Sequence, residues 1–305
     1  MAKAPFDKLQ IIVANEVKTD ISTRSFWITT FLVPLIIMIF GVFAGFLMSD
    51  SQSFMNATNG MNAAPDPDNI TPLKALGMVL GILPVLFLMM YGAMIFNKVK
   101  TEKCNRIVEI LATCVDGRTM MLAKILAVGI VGLIQLALWM ILIFSFTFIV
   151  VLMSGTGIPW HILFNGDVWL ALMWGFLYFA GGYIFYASLY AAVGAMTDKN
   201  NENQGYVTIL TMALLASFYL GEYAVDHASG AFVIVCCYVP FTSSTLLTVV
   251  SAAKEAPLWL SLTGLAALYI CAFLALTFAG KIYTSSILLK GKKLSVSDII
   301  TFLKA

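Results

Sequence analysis

The sequence predicts an all-α integral membrane protein with six transmembrane helices, and three observations lead to this fold class. Of the 305 residues, 60% are apolar and only 11% carry a charge, a balance typical of membrane proteins. Apolar runs of about 20 residues, the length needed to cross a hydrocarbon core, recur along the chain. The lysines and arginines lie almost entirely between or beyond these runs. The runs occupy residues 27–48, 75–97, 122–153, 168–197, 205–224 and 257–280.

Residues 1–25 precede the first predicted span, and we expect them to form a cytoplasmic amphipathic elbow helix. They carry an imperfect apolar face along the membrane surface, made of Phe6, Leu9, Val13, Val17 and Ile21. The segment lacks the apolar core and small-residue cleavage site of a secretory signal, so no cleaved targeting peptide is expected.

Two glycine pairs at GxxxG spacing lie in the first two predicted spans, Gly41/Gly45 and Gly77/Gly81. Such pairs let helix backbones approach closely. Glycine is also common in membrane helices generally, so a helix-packing role and no special role both remain open. Residues 49–74, between these spans, are rich in Asn, Ser, Pro and Asp and are expected to form an external loop.

The polar stretch from Asn97 to Lys124 separates the second and third spans and predicts a cytoplasmic helix within residues 100–117. Thr101 would cap its first turn, and Asp116-Gly117 would supply the turn that ends it. On a helical projection the polar face contains Glu102, Arg106, Glu109 and Thr113. Such a helix suits two roles, a connector lying in the headgroup region and a docking element that passes force from a soluble partner.

Residues 231–252 form a seventh apolar segment, whose path can be inferred from the distribution of charge. If this segment does not cross, both termini are cytoplasmic and every lysine and arginine except Lys74 and Lys254 lies inside. If it crosses, the lysine-rich tail lies outside, against the positive-inside rule. We therefore expect an outer re-entrant hairpin, broken at Val239-Pro240 because proline removes a backbone donor. We then expect residues 26–284 to form the transmembrane domain and residues 285–305 to form a cytoplasmic amphipathic tail.

Patterns typical of catalysis, metal binding or nucleotide binding are missing from the sequence. The five cysteines have no metal-site spacing, no paired carboxylates or activated nucleophile lie along the spans, and no GxxxxGK[ST] phosphate loop occurs. None of the six spans holds an internal ionisable residue, which disfavours a secondary transporter or proton pump. We expect no catalytic residue, no metal site, no cofactor bound by this chain and no nucleic-acid partner.

In order and spacing, several motifs resemble the ABC-2-type permeases, in the sodium-efflux and drug-exporter-like branch of that family. The most specific ones are Glu102, Asn105-Arg106-Ile107, Glu109-Ile110-Leu111, Ala123-Lys124-Ile125-Leu126 and Gly132-Leu133-Ile134-Gln135. Supporting ones are the entry from Glu16 to Pro34, Pro240-Phe241-Thr242-Ser243, and Lys281-Ile282-Tyr283 followed by Gly291-Lys292-Lys293. Members of this branch often carry a large folded domain between spans one and two, where this chain has only residues 49–74.

The resemblance implies the permease subunit of an ATP-binding cassette exporter in the plasma (bacterial inner) membrane. It implies a separate ATPase subunit that binds ATP and Mg and docks on the coupling helix, at Glu102, Asn105, Arg106, Glu109 and Thr113. It also implies a homodimer, or a heterodimer with a homologous permease, embedded in lipid. An ion-coupled secondary carrier and a non-transporting membrane scaffold are the alternatives. Ions, lipids, peptides and drugs all remain open as cargo, and the lack of ionisable residues in the spans favours an amphipathic cargo over bare sodium.

Overall fold

The computed structural model of the protein describes residues 5–36, 39, 72–104, 116–154, 166–197, 204–227, 230–252 and 257–288. Every secondary-structure element within these ranges is an α-helix, which confirms the predicted all-α class. In chain order the helices are α1 (Pro5–Ile21), α2 (Arg24–Ile36), α3 (Pro72–Cys104), α4 (Gly117–Ser154), α5 (Gly166–Met196), α6 (Gln204–Asp226), α7 (Ala231–Tyr238), α8 (Pro240–Ala252) and α9 (Leu258–Leu288).

Three of the described helices contain stretches long and apolar enough to cross a membrane. These are Gly117–Phe146 in α4, Val168–Met196 in α5 and Leu258–Ser286 in α9, while Arg24–Ile36 and Gly205–Gly221 are shorter apolar helices. The outward faces of these helices are strongly apolar, with Ile141, Ile209 and Ile270 each more than 60% exposed. An exposed apolar surface of this kind is what contact with lipid requires.

The predicted start of a separate helix at Thr101 is wrong. Helix α3 continues without interruption through Thr101 to Cys104, so Thr101 lies inside a helix and cannot cap one. This prediction failed because the drop in hydropathy after residue 97 marks the end of the apolar run and not the end of the helix. Asp116 does lie outside a helix, and its carbonyl accepts the first described bond of α4 from the N–H of Met120, at 3.1 Å.

Several predicted segments lie outside the described residues, and their conformation stays a prediction. They are residues 1–4 of the elbow, Gly41 and Gly45, the external loop up to residue 71, residues 105–115 of the coupling segment, and the tail after residue 288.

Helix α5 lies at the centre of the bundle and packs against α3, α8 and α9. Its tyrosines extend to different neighbouring helices, and their hydroxyls find partners there. The partners are the carbonyls of Ser261 for Tyr178 (3.0 Å), Ile125 for Tyr183 (2.8 Å) and Phe241 for Tyr186 (2.6 Å), and the hydroxyl of Thr211 for Tyr190 (3.2 Å). Buried tyrosine hydroxyls need such partners. The aromatic run of α5 therefore serves helix packing.

The predicted break at Val239-Pro240 is confirmed. Val239 has extended backbone angles, φ −76° and ψ 119°, which the proline after it favours. Pro240 has no N–H for the carbonyl of Cys236, and the Thr242 hydroxyl donates to that carbonyl instead, at 2.6 Å. The two helices have 8 and 13 residues, or about 12 and 20 Å, so neither alone spans a hydrocarbon core of about 30 Å.

Contacts along α8 define its direction. It runs parallel to α6, because Ser217 bonds to Thr245 at 3.1 Å and the Cβ position of Gly221 lies 3.2 Å from Val249. It runs antiparallel to α5, which it meets at Phe241 near its start and, through Tyr178, at Ser251 near its end. Ser251 also lies 3.2 Å from Ser261 at the start of α9. The ends of α6 and α8 and the start of α9 therefore share one end of the bundle.

Candidate functional site

At the opposite end of the bundle, five ionisable side chains form a continuous chain of ion pairs, which we call the charge cluster. Its order is Asp20, Lys98, Glu16, Lys124, Glu102. Lys98 Nζ lies 2.6 Å from Asp20 Oδ2 and 2.7 Å from Glu16 Oε2. Lys124 Nζ lies 3.3 Å from Glu16 Oε1 and also contacts Glu102 Oε1. Acids and lysines alternate along the cluster, with an acid at each end.

Three helices supply the cluster, and helical spacing explains how. Glu16 and Asp20 are four residues apart on α1, so their side chains share one face. Two like charges at this spacing destabilise an isolated helix, and here the lysines of α3 and α4 compensate them. Lys98 and Glu102 are likewise four residues apart on α3, and Lys124 comes from the third turn of α4.

The cluster is largely removed from solvent, with Lys124 only 3% and Asp20 only 4% exposed. Burying a charge is costly unless an opposite charge is bonded to it. Each lysine has two carboxylates, and Glu16 uses one oxygen for each lysine. These ion pairs therefore hold the three helices together at this end, because separating them would leave buried charges unpaired.

The pKa values in the cluster follow from burial and pairing. Burial raises the pKa of Glu16, but Lys124 and Lys98 outweigh burial and hold it below the ordinary 4.5. For Asp20 burial prevails over the bond to Lys98, and the pKa lies above the ordinary 3.8. Burial lowers the pKa of Lys98, and the bonds to Asp20 and Glu16 more than offset this, so it lies above 10.5. Of Glu16 and Asp20, only Glu16, which has two lysines, thus has its charged form favoured by its surroundings.

A second polar group lies deeper in the bundle and joins the same part of the fold. The Tyr91 hydroxyl donates to Gln135 Oε1, and Gln135 Nε2 lies 3.4 Å from Thr29 Oγ1. Gln135, a strongly polar residue within the third predicted span, is only 2% exposed. It connects α4 with α3 and with α2.

The end of α3 is also bonded to the end of α5. Lys103 Nζ donates to the carbonyl of Ala195, in the last turn of α5, at 2.7 Å. A cation in this position satisfies a terminal carbonyl and suits the negative end of the helix dipole. The last two turns of α3 therefore contact α1, α4 and α5 through polar side chains.

Of the five predicted docking residues, Glu102 is the one that lies within the described residues, and its position differs from the expected one. Glu102 was expected on a solvent face, but its side chain is only 18% exposed and pairs with Lys124. Asn105, Arg106, Glu109 and Thr113 lie outside the described residues. Gly77 and Gly81 lie on α3, and what packs around them is not among the described side chains, so the helix-packing role of the glycine pairs stays a prediction.

Sequence reasoning missed four residues of the charge cluster as site residues, although signals were present: Glu16, Asp20, Lys98 and Lys124. Two acids on one helical face ahead of an apolar span require a cation from elsewhere. Lys124 lies at the start of the third predicted span with apolar neighbours from Met120 to Leu126, and a charge among apolar residues is expected to have a partner. Among the described residues, no group of His, Cys, Asp and Glu could hold a metal ion.

Comparison with known proteins finds a matching family model and two relatives of the chain. The family model described as ABC-2 family transporter protein matches residues 55–281. "Uncharacterized protein YhaP" of Bacillus subtilis (strain 168) is 26% identical over 224 residues, 72% of this chain and 53% of the relative. "Uncharacterized protein MJ1024" of Methanocaldococcus jannaschii is 22% identical over 213 residues, 68% of this chain and 49% of the relative. The chain thus spans about half the length of these relatives. No solved structure matches it.

Proposed function

Because the chain belongs to the ABC-2 family of transporter proteins, we propose that it is the permease subunit of an ATP-binding cassette exporter. A separate ATPase subunit binds ATP and Mg and docks on residues 100–117. The permease works as a homodimer, or as a heterodimer with a homologous permease, in the plasma (bacterial inner) membrane with both termini in the cytoplasm.

The observation that carries this proposal is the position of the charge cluster relative to the coupling segment. Glu102 lies shortly before residues 105–115 and Lys124 shortly after them, and the two side chains are in contact. The described residues on either side of this segment therefore lie close together, at the place where α1 is also bonded. A push on this segment by a partner would act on three helices at once.

The first test reverses charges in the coupling segment itself. We expect the double variant Arg106→Glu, Glu109→Lys to abolish stimulation of the partner's ATP hydrolysis while membrane insertion stays normal, because charge complementarity guides docking. Glu102 is left unchanged, since its reversal would break the charge cluster. Lys281→Glu, at an exposed position on α9, is the matched control and should stimulate normally. ATPase stimulation by the double variant at the level of the control would contradict docking on this segment.

We also propose that α7 and α8 form the outer re-entrant hairpin and that the chain crosses six times. The shared end of α6, α8 and α9 supports this path, because a segment that starts and ends on one side does not cross. In a cysteine-free background, single cysteines at Asn59 and Asp226 should react with an impermeant thiol reagent added outside. Cysteines at Asn200 and Ser297 should react only after permeabilisation. Outside labelling at position 297 would mean that residues 231–252 cross.

The cargo is proposed to be amphipathic rather than a bare cation. The ionisable side chains of the charge cluster lie at one end of the bundle, and a bare ion in the middle of the spans would lose its hydration without a counter-charge. We expect hydrophobic amphiphiles, and not sodium, to stimulate ATP hydrolysis by the purified complex. Saturable stimulation by sodium alone would favour an ion carrier, and no response to either class, with no ATPase bound, would favour a scaffold.

A further inference from the structure

Glu16 is the central member of the charge cluster, because it alone of the five residues bonds to both lysines. Its Oε2 lies 2.7 Å from Lys98 on α3 and its Oε1 lies 3.3 Å from Lys124 on α4. One carboxylate of α1 thus fixes this helix against two others. If α3 and α4 moved apart, Glu16 would lose one of its two partners.

Such a loss would be costly at this site. Lys124 is 3% exposed, so a lysine separated from its carboxylates would remain buried without a counter-charge. Apolar contacts strengthen the same junction, since Val17 and Ile21 of α1 pack on the cluster of buried side chains that includes Val99 and Met120. The pairs are therefore expected to persist when this end of the bundle is displaced.

We propose that α1 and the adjoining ends of α3 and α4 move as one rigid body when the ATPase acts on residues 105–115, with Glu16 as the positioning residue. The part of this inference that involves the ATPase rests on the proposed function. The rigidity of the three-helix junction is a property of the chain alone and can be measured without any partner.

The rigid body also reaches the first predicted span. Helix α1 is joined to α2 only by Ser22 and Thr23, and this joint is bonded back to α1. The Thr23 N–H and hydroxyl both donate to the carbonyl of Asp20, at 3.1 and 2.6 Å. A displacement of the junction would therefore be passed to α2 without an intervening flexible linker.

The test measures the distance between α1 and α3 with spin labels at Lys18 and Asn97, both of which are exposed. The five native cysteines are replaced by serine, and labelled chains are diluted with unlabelled ones so that each distance is within one chain. In the wild-type background we expect one narrow distance distribution, identical without nucleotide and with the partner ATPase trapped on ATP. Glu16→Gln keeps the shape of the side chain and removes its charge, and should broaden the distribution.

The same variants are compared for coupling. Glu16→Gln should lower ATPase stimulation by about tenfold, within the range of typical coupling effects, and Glu16→Asp should restore both the stimulation and the narrow distance. Asn15→Ala, at the exposed neighbouring position on α1, is the matched control and should behave as wild type. A role in folding alone would lower the amount of protein and leave coupling per molecule unchanged.

Two results would overturn the inference. One is a Lys18 to Asn97 distance that changes between the two states of the wild-type background. The other is a Glu16→Gln variant with wild-type distance and wild-type stimulation. If the wild-type chain stimulates no ATPase, the proposed function fails, while the comparison of Glu16→Gln with Glu16→Asp in the chain alone still tests the junction.

Discussion

Lys124→Met is expected to lower the free energy of unfolding by about 3–5 kcal/mol, the cost of removing one partner from a buried ion pair. The loss arises because Glu102 would lose its lysine and Glu16 one of its two, while both carboxylates stay inside the bundle. Methionine fills a similar volume without charge, so lost packing contributes little. Unfolding in mixed detergent micelles, followed by helical signal, measures the change.

Two comparisons separate this effect from a general intolerance of substitution. Lys281→Met removes a lysine that is exposed on α9, and little change is expected. Glu102→Gln combined with Lys124→Met removes both charges of one pair and should cost less than the sum of the two single changes. Equal losses for Lys124→Met and Lys281→Met would show that the charge cluster does not stabilise the fold.

Gly194→Ala is expected to destabilise the contact between α3 and α5 by about 1–3 kcal/mol, as overpacking in a close-packed interior does. A Cβ at Gly194 would lie 2.8 Å from the carbonyl oxygen of Phe96 and 3.1 Å from Val99 Cβ. Neither atom is the end of a flexible side chain, so the two helices would have to separate. The gain of up to about 1 kcal/mol from replacing glycine in a helix does not offset this.

Gly205→Ala is the matched control, since none of the described residues lies within 4 Å of the Cβ position on Gly205 in α6. This variant should be as stable as wild type or slightly more stable. Thermal unfolding of the three proteins in one detergent compares them directly. A Gly194→Ala protein as stable as the Gly205→Ala protein would show that α3 and α5 have room to adjust.

The helices were predictable because their signals are local. The apolar runs predicted the bounds of α5 and α6 to within two residues. The Val239-Pro240 pair predicted the break between α7 and α8, because a proline removes a backbone donor wherever it stands. The extension of α3 to Cys104 was not predictable from hydropathy, because a helix can leave the membrane without ending. What extends it is tertiary, the pairing of Glu102 and Lys103 with α4 and α5.

The charge cluster was harder to predict because it depends on pairs far apart in sequence. Glu16 lies 82 residues from Lys98 and 108 from Lys124, and no periodicity connects such positions. Close helix contacts at glycine are hard to predict from the sequence for the same reason. Spacing singled out four glycines of the first two spans, while the close approaches that the structure describes include Gly182 against Ser244 and Gly194 against Phe96. Which glycine faces a neighbour is decided by how helices cross.

The break at Val239 also has an electrostatic consequence. The carboxyl end of α7 and the amino end of α8 meet there, and these ends carry partial charges of about −0.5 and +0.5 from the aligned peptide dipoles. Set one residue apart, the two partial charges largely cancel at longer range. The break itself therefore presents little net field to its apolar surroundings and needs no counter-ion, in agreement with the lack of any charged residue between positions 231 and 252.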